Sequence, residues 1–105
     1  ILIIDDEISV CEIARDMLTG LGYTVYVEHD GKSGVDLYRI RQATIDLILL
    51  DINMPVMGGK QAFEVLRVMN PRCRIVIVTG YGREGVETSS FSSGVNGFVQ
   101  IKLAY

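Results

Sequence analysis

Five short apolar stretches, at about residues 1–4, 23–27, 46–50, 74–79 and 97–101, punctuate the chain, and segments of helical period separate them. Stretches of this length, rich in branched residues, read as strands. Their alternation with helices predicts a parallel sheet covered on both faces. Ile1-Leu2-Ile3-Ile4, Asp46-Leu47-Ile48-Leu49-Leu50 and Arg74-Ile75-Val76-Ile77-Val78 are nearly unbroken runs of Ile, Val and Leu. That is the pattern of central strands buried on both sides, so these three are expected to be neighbours.

Ser9-Val10-Cys11-Glu12 matches a capping box, and Val10, Ala14, Met17, Leu18 and Leu21 follow as an apolar stripe that stops at Gly20-Leu21-Gly22. A first helix is predicted there. Asp30-Gly31 marks a turn before Ser33, after which Val35, Leu37, Tyr38 and Ile40 give a shorter helical pattern. Gly58-Gly59 opens a third helix with Ala62, Phe63, Leu66 and Met69 on one face, and Asn70-Pro71 ends it. Between Gly82 and Gly94 the residues Thr88, Ser89, Ser90, Ser92 and Ser93 are poor helix formers, so any helix there is expected to be marginal and movable.

With 105 residues the chain fits one domain, and 49% apolar against 22% charged residues is enough to build a core. The net charge is -3, with lysines and arginines scattered along the sequence, so direct nucleic-acid binding is not expected. The apolar stretches are far shorter than the ~20 residues of a membrane span, and no signal-peptide layout opens the chain. Cys11 and Cys73 follow no ligand spacing and read as small buried apolar residues, which suits a reducing, cytoplasmic compartment. The first residue is not Met and no terminal punctuation follows Lys102-Leu103-Ala104-Tyr105. A domain of residues 1–105 cut from a longer protein is therefore expected, with the helix that would cover the last strand absent or truncated.

Chemistry enters at the strand ends. Asp5-Asp6-Glu7 follows the first apolar run, Asp51 follows the third and Thr79 ends the fourth. Ligands of open α/β sheets bind beyond the carboxyl ends of the strands. Three carboxylates meeting there repel one another unless a cation compensates, and Mg²⁺ is suited because it takes hard oxygen ligands and shares its sphere with phosphate. A strand-end carboxylate can also act as a nucleophile toward phosphorus, with a hydroxyl and an ammonium neutralising charge.

Ile3-Ile4-Asp5-Asp6-Glu7, Leu49-Leu50-Asp51-Ile52-Asn53-Met54-Pro55-Val56-Met57-Gly58-Gly59, Val78-Thr79-Gly80 and Gly97-Phe98-Val99 resemble the receiver domain of two-component response regulators across almost the whole chain. The resemblance implies a flavodoxin-like α/β sandwich of three layers, with a five-stranded parallel sheet in the order 2-1-3-4-5. It implies that Asp51 accepts a phosphoryl group from a sensor histidine kinase or histidine phosphotransfer domain, making the domain a phosphoacceptor in a phosphorelay. Asp6 and Asp51 would ligate Mg²⁺ directly, Asp5 would assist through water, and Asn53 would offer its backbone carbonyl. Thr79 and Phe98 would be the switch residues, Asn53 and Tyr81 would tune acyl-phosphate lifetime, and Gly58-Gly59 would let the backbone pass close to the ion. The output domain would lie in the same chain or in a partner protein, and a hybrid histidine kinase is one possible parent.

One position departs from the family pattern. Lysine is usual three residues after the aromatic, but Gly97-Phe98-Val99-Gln100-Ile101-Lys102 puts Ile101 there and Lys102 one step later. A one-residue slip in a strand turns the side chain to the other face, so Lys102 serves only if a bulge re-aims it. The alternative reading is accordingly a receiver-like protein-interaction module with impaired phosphorylation. A phosphatase of the haloacid dehalogenase type would want a second carboxylate where Asn53 stands. Gly80-Tyr81-Gly82-Arg83-Glu84-Gly85 fits a dinucleotide-binding fingerprint but lies in the fourth unit with too little chain after it. His29, without a ligand-spaced partner, reads as a surface turn residue.

Overall fold

A computed structural model of the chain describes residues 1–52, 54, 57–79 and 97–100. In chain order the elements are β1 (Leu2–Ile4), α1 (Ile8–Gly20), β2 (Tyr26–Glu28), α2 (Gly31–Arg41), a 3₁₀ turn (Gln42–Thr44), β3 (Ile48–Asp51), α3 (Gly59–Met69), β4 (Ile75–Thr79) and β5 (Gly97–Gln100). The five strands form one parallel sheet in the order β2-β1-β3-β4-β5. The sheet is doubly wound, as expected, and β1, β3 and β4 are its centre.

The topology follows from crossover handedness. The chain steps from β1 to one side for β2 and then to the other side for β3 and β4, and each parallel crossover is right-handed. That sends α1 to one face of the sheet and α2 and α3 to the opposite one. On the α2/α3 side, alternate strand residues Leu2, Ile4, Ile48, Leu50, Ile75 and Ile77 are at most 1% exposed and pack with Val35, Tyr38, Ala62, Phe63 and Leu66. Tyr38 is buried with its hydroxyl satisfied, accepting from Asn70 Nδ2 at 2.9 Å.

Two local expectations are corrected. The capping box is not formed: α1 starts at Ile8 with Glu7 at the cap and no side-chain cap bond, so Ser9 lies inside the helix. The stripe of α1 is also narrower than expected, with Ala14 and Leu18 half-buried behind Val10. Val10 and Cys11 are the buried pair, whereas Met17 and Leu21 are 65% and 73% exposed, because one helix rests only a narrow strip on a sheet face. Gly22, at φ 96°, turns the chain after α1.

The strand predicted over 23–27 begins only at Tyr26, the first residue paired with β1; before it only Ile1 reaches across, its amino group donating to Thr24 O at 2.8 Å and its carbonyl accepting from Tyr26 N at 2.9 Å. Asp30, read as a turn marker, caps α2: its carboxylate accepts from Ser33 N at 2.7 Å and Ser33 Oγ at 3.0 Å. The marginal helix expected between Gly82 and Gly94 and the covering helix expected after the last strand lie outside the described residues.

Candidate functional site

Parallel register brings the acids together. Ile4 pairs with Leu50, so Asp5 and Asp51 are the next residues on two adjacent strands, and Asp6 follows at the lip. One carboxylate oxygen from each of Asp5, Asp6 and Asp51 lies within 4.8 Å of the others; Asp5 and Asp51 are buried and Asp6 is exposed. Gathering three carboxylates at that separation is repulsive by several kcal/mol before screening. Burial pushes the Asp5 carboxyl above its ordinary range, the Asp6 and Glu7 charges add to that, and bonds from the Glu7 backbone and with Asp51 pull the other way. The Glu7 N–H donates to Asp5 Oδ1 at 2.9 Å.

The donor set fits a hard divalent cation: oxygens only, two of the carboxylates held at strand ends, and the third open to solvent where a hydrated ion enters. The field of the cluster is also legible in a neighbour. The Cys11 thiol is pushed up to about 12, first by burial and then by the charges of Asp5, Asp51 and Asp6. It donates to Asp5 O at 3.3 Å, and His29 Nδ1 stands 3.1 Å from the same carbonyl. Cys11 and His29 therefore brace the main chain at Asp5 rather than the carboxylates, and His29 is exposed at a bend, as a surface turn residue. Sequence reading missed these contacts because six and twenty-four residues separate the two from Asp5 and no linear motif carries such a contact.

Both cysteines are buried free thiols, and burial raises the Cys73 pKa as well. The thiolate is the reactive form, so a thiol-alkylating reagent at neutral pH is expected to leave both unmodified in the folded chain and to label both in denaturant. Rapid labelling of Cys11 without denaturant, followed by mass spectrometry, would contradict this placement.

Gly59, at the start of α3, packs directly against the backbone at the end of β3. A Cβ there would stand 2.5 Å from the Asp51 carbonyl oxygen and 2.5 Å from Ile52 Cα. Backbone atoms cannot swing aside as a side chain can. Gly59→Ala is expected to destabilise the fold by roughly 1–3 kcal/mol, the usual range for overpacking, as read from denaturant melts; an unchanged midpoint would show that the strand end yields freely.

Of the other predicted residues, Thr79 ends β4 one step beyond the partner of Asp51, and the register pairs it with Gln100. Phe98 pairs with Ile77 in β5. Asn53, Tyr81, Ile101 and Lys102 lie outside the described residues, as do the side chains of Thr79 and Phe98.

A family model for the response regulator receiver domain matches residues 1–103. The chain belongs to that family. This receiver domain is 32% identical to the transcriptional regulatory protein ZraR of Klebsiella oxytoca over 94 residues, which cover 90% of the chain and 21% of ZraR. It is 36% identical to two-component response regulator 24 of Arabidopsis thaliana over 102 residues, 97% of the chain and 73% of that protein. Among solved structures it resembles the receiver domain of the sensor histidine kinase PA1611 of Pseudomonas aeruginosa, with a magnesium ion coordinated in its active-site cleft. That likeness has a TM-score of 0.86 at 25% identity and covers 98% of the chain and 84% of its counterpart. The chain spans about a fifth of the length of the ZraR proteins. The receiver domain serves two-component signalling. No helix among the described residues is long and apolar enough to cross a membrane.

Proposed function

We propose that this receiver domain accepts a phosphoryl group on Asp51 in a Mg²⁺-dependent step and passes the change to partners. The observation that carries the reading is the convergence of Asp5, Asp6 and Asp51 at the carboxyl edge, with Asp51 buried at the end of a central strand. An Asp51 oxygen attacks phosphorus in a phosphohistidine of a sensor histidine kinase or phosphotransfer domain. The new O–P bond forms as the P–N bond breaks, and the histidine nitrogen leaves with the electron pair.

Asp5, Asp6, Asp51 and the Asn53 carbonyl would hold Mg²⁺, which supplies neutralisation of the phosphoryl and carboxylate charges when bound. The magnesium in the PA1611 receiver supports this assignment. Asp5 and Asp6 keep the cation beside the acceptor, Thr79 offers its hydroxyl to the new phosphoryl group, and Phe98 repacks with it. Lys102 is the candidate ammonium if the chain bulges after Gln100. The domain works in the cytoplasm as part of a longer chain, with the output carried by that chain or by a partner.

Ile101, standing where the family usually has lysine, favours a second reading in which the domain is a protein-interaction module that phosphorylates poorly. Acetyl phosphate, a small phosphoryl donor that needs no protein partner, distinguishes the two. Addition of one phosphoryl group in Mg²⁺, abolished by chelation, supports the first; no addition at saturating donor supports the second.

A further inference from the structure

The amino edge of the sheet, opposite the acidic site, collects half of the chain's cations. Arg39 and Arg41 lie in the last turn of α2, Arg67 in the last turn of α3, and Arg72 and Arg74 in the segment leading to β4. These five are among ten lysines and arginines in a chain of net charge -3. They look scattered in sequence, but the fold joins the three segments. Asn70 Nδ2 donates to Tyr38 OH at 2.9 Å, tying the end of α3 to α2, and Ile48 N donates to Arg74 O at 2.9 Å, tying the segment before β4 to the start of β3.

Two of these arginines are held in place. Arg67 Nη1 donates to the carbonyls of Cys73 and, at 3.2 Å, Pro71, with its Cζ 5.4 Å from the Phe63 ring centroid. Arg41 lies 5.7 Å over the Tyr26 ring. Arg72 and Arg74 are exposed, and Arg39 makes a surface pair with Asp36, which is worth little to stability.

Beside these charges stand Ile40 and Val68, 78% and 85% exposed and the two most exposed large apolar side chains among the described residues. Each comes two residues after a buried core residue of its helix, Tyr38 or Leu66, and so points away from the sheet. α2 and α3 pack side by side, and each residue lies in the last turn of its helix, toward the amino edge. Two aliphatic tips among arginines form a surface of mixed character.

We infer that this edge, formed by Arg39, Ile40 and Arg41 with Val68, Arg72 and Arg74, docks an acidic amphipathic helix of a partner protein. Its carboxylates meet the guanidinium forks, which match them in planar geometry, and its apolar stripe covers Ile40 and Val68. A polynucleotide fits less well, because the aliphatic tips interrupt the cationic surface and the chain's net charge repels a polyanion. An anionic membrane fits less well because the chain's net charge of -3 opposes it. The surface lies at the opposite end of the strands from Asp51, so both can be engaged at once.

The test is titration of the ¹⁵N-labelled chain with a synthetic helical peptide of alternating Glu pairs and Leu pairs, followed by NMR. Shifts confined to the neighbourhood of residues 39–41 and 67–74, weakened at least roughly tenfold by R72E/R74E, are expected. The double variant should keep the circular dichroism spectrum and Mg²⁺ affinity of the wild type, since neither arginine lies near the acids. The proposal is overturned by shifts centred on α1 or absent altogether, or by equal binding of a Lys-for-Glu peptide. Binding of duplex DNA or phosphatidylserine vesicles where the peptide does not bind overturns it as well.

Discussion

Asp51→Asn is expected to take up no phosphoryl group from acetyl phosphate and Mg²⁺ under conditions in which the wild-type chain takes up one. The amide is nearly isosteric with the carboxylate and leaves one fewer buried charge in the cluster, so folding is preserved and the loss is chemical. A carboxylate oxygen is nucleophilic toward phosphorus and a neutral amide oxygen is not. The effect is therefore all or none rather than a graded fall. Intact-protein mass spectrometry after brief incubation reads it directly, with circular dichroism confirming the fold. Modification that persists in the variant and maps to Asp5 or Asp6 would remove Asp51 from the acceptor role.

Asp5→Asn is expected to stabilise the metal-free domain, although the residue sits at the heart of the site. Asp5 is 6% exposed and faces two further carboxylates. Removing one charge relieves desolvation and repulsion worth about 1–2 kcal/mol, or roughly 5–10 °C in Tm for a domain this small. The bond from the Glu7 N–H survives, because an Asn carbonyl oxygen can still accept it. Mg²⁺ should reverse the ranking. The ion binds the folded wild type and adds about 2.7 kcal/mol at a hundredfold excess over its Kd, while the variant gains much less.

The pH dependence follows from the raised Asp5 pKa. A carboxyl whose folded pKa is raised favours the folded state while protonated, so the metal-free chain loses that contribution as pH climbs from the ordinary aspartate value of 3.8 through the folded value. Mg²⁺ binds the ionised form, so its stabilisation is full at neutral pH and fades as pH falls into the same window. Thermal melts with Mg²⁺ and with chelator across that range read both trends. A metal-free Asp5→Asn variant that melts below wild type would show that the acid is structurally required.

The strands and the acid positions were legible because burial on both sheet faces leaves unbroken apolar runs, and such runs end where the chain leaves the sheet. Asp5 and Asp51 could be placed at one edge from those ends alone. The helices were legible in existence but not in how wide a strip of each is covered. Val10, Cys11, Met17 and Leu21 are all apolar, and only the direction in which α1 meets the sheet decides that the first two are covered and the last two are not. Similarly, Ser9-Val10-Cys11-Glu12 has the letters of a capping box, yet the chain leaving β1 is already helical at Ile8.

Sequence by itself determined the fold class, the acids and the family, since each depends on residue type at short range or at strand ends. Tertiary structure alone decided what surrounds the acids. It brought Cys11 and His29 onto the Asp5 carbonyl, set Gly59 against the Asp51 backbone, and gathered arginines from three segments at the opposite edge. Those are contacts between residues far apart in the chain, and the parallel register that creates them is a property of the packed sheet rather than of any one segment.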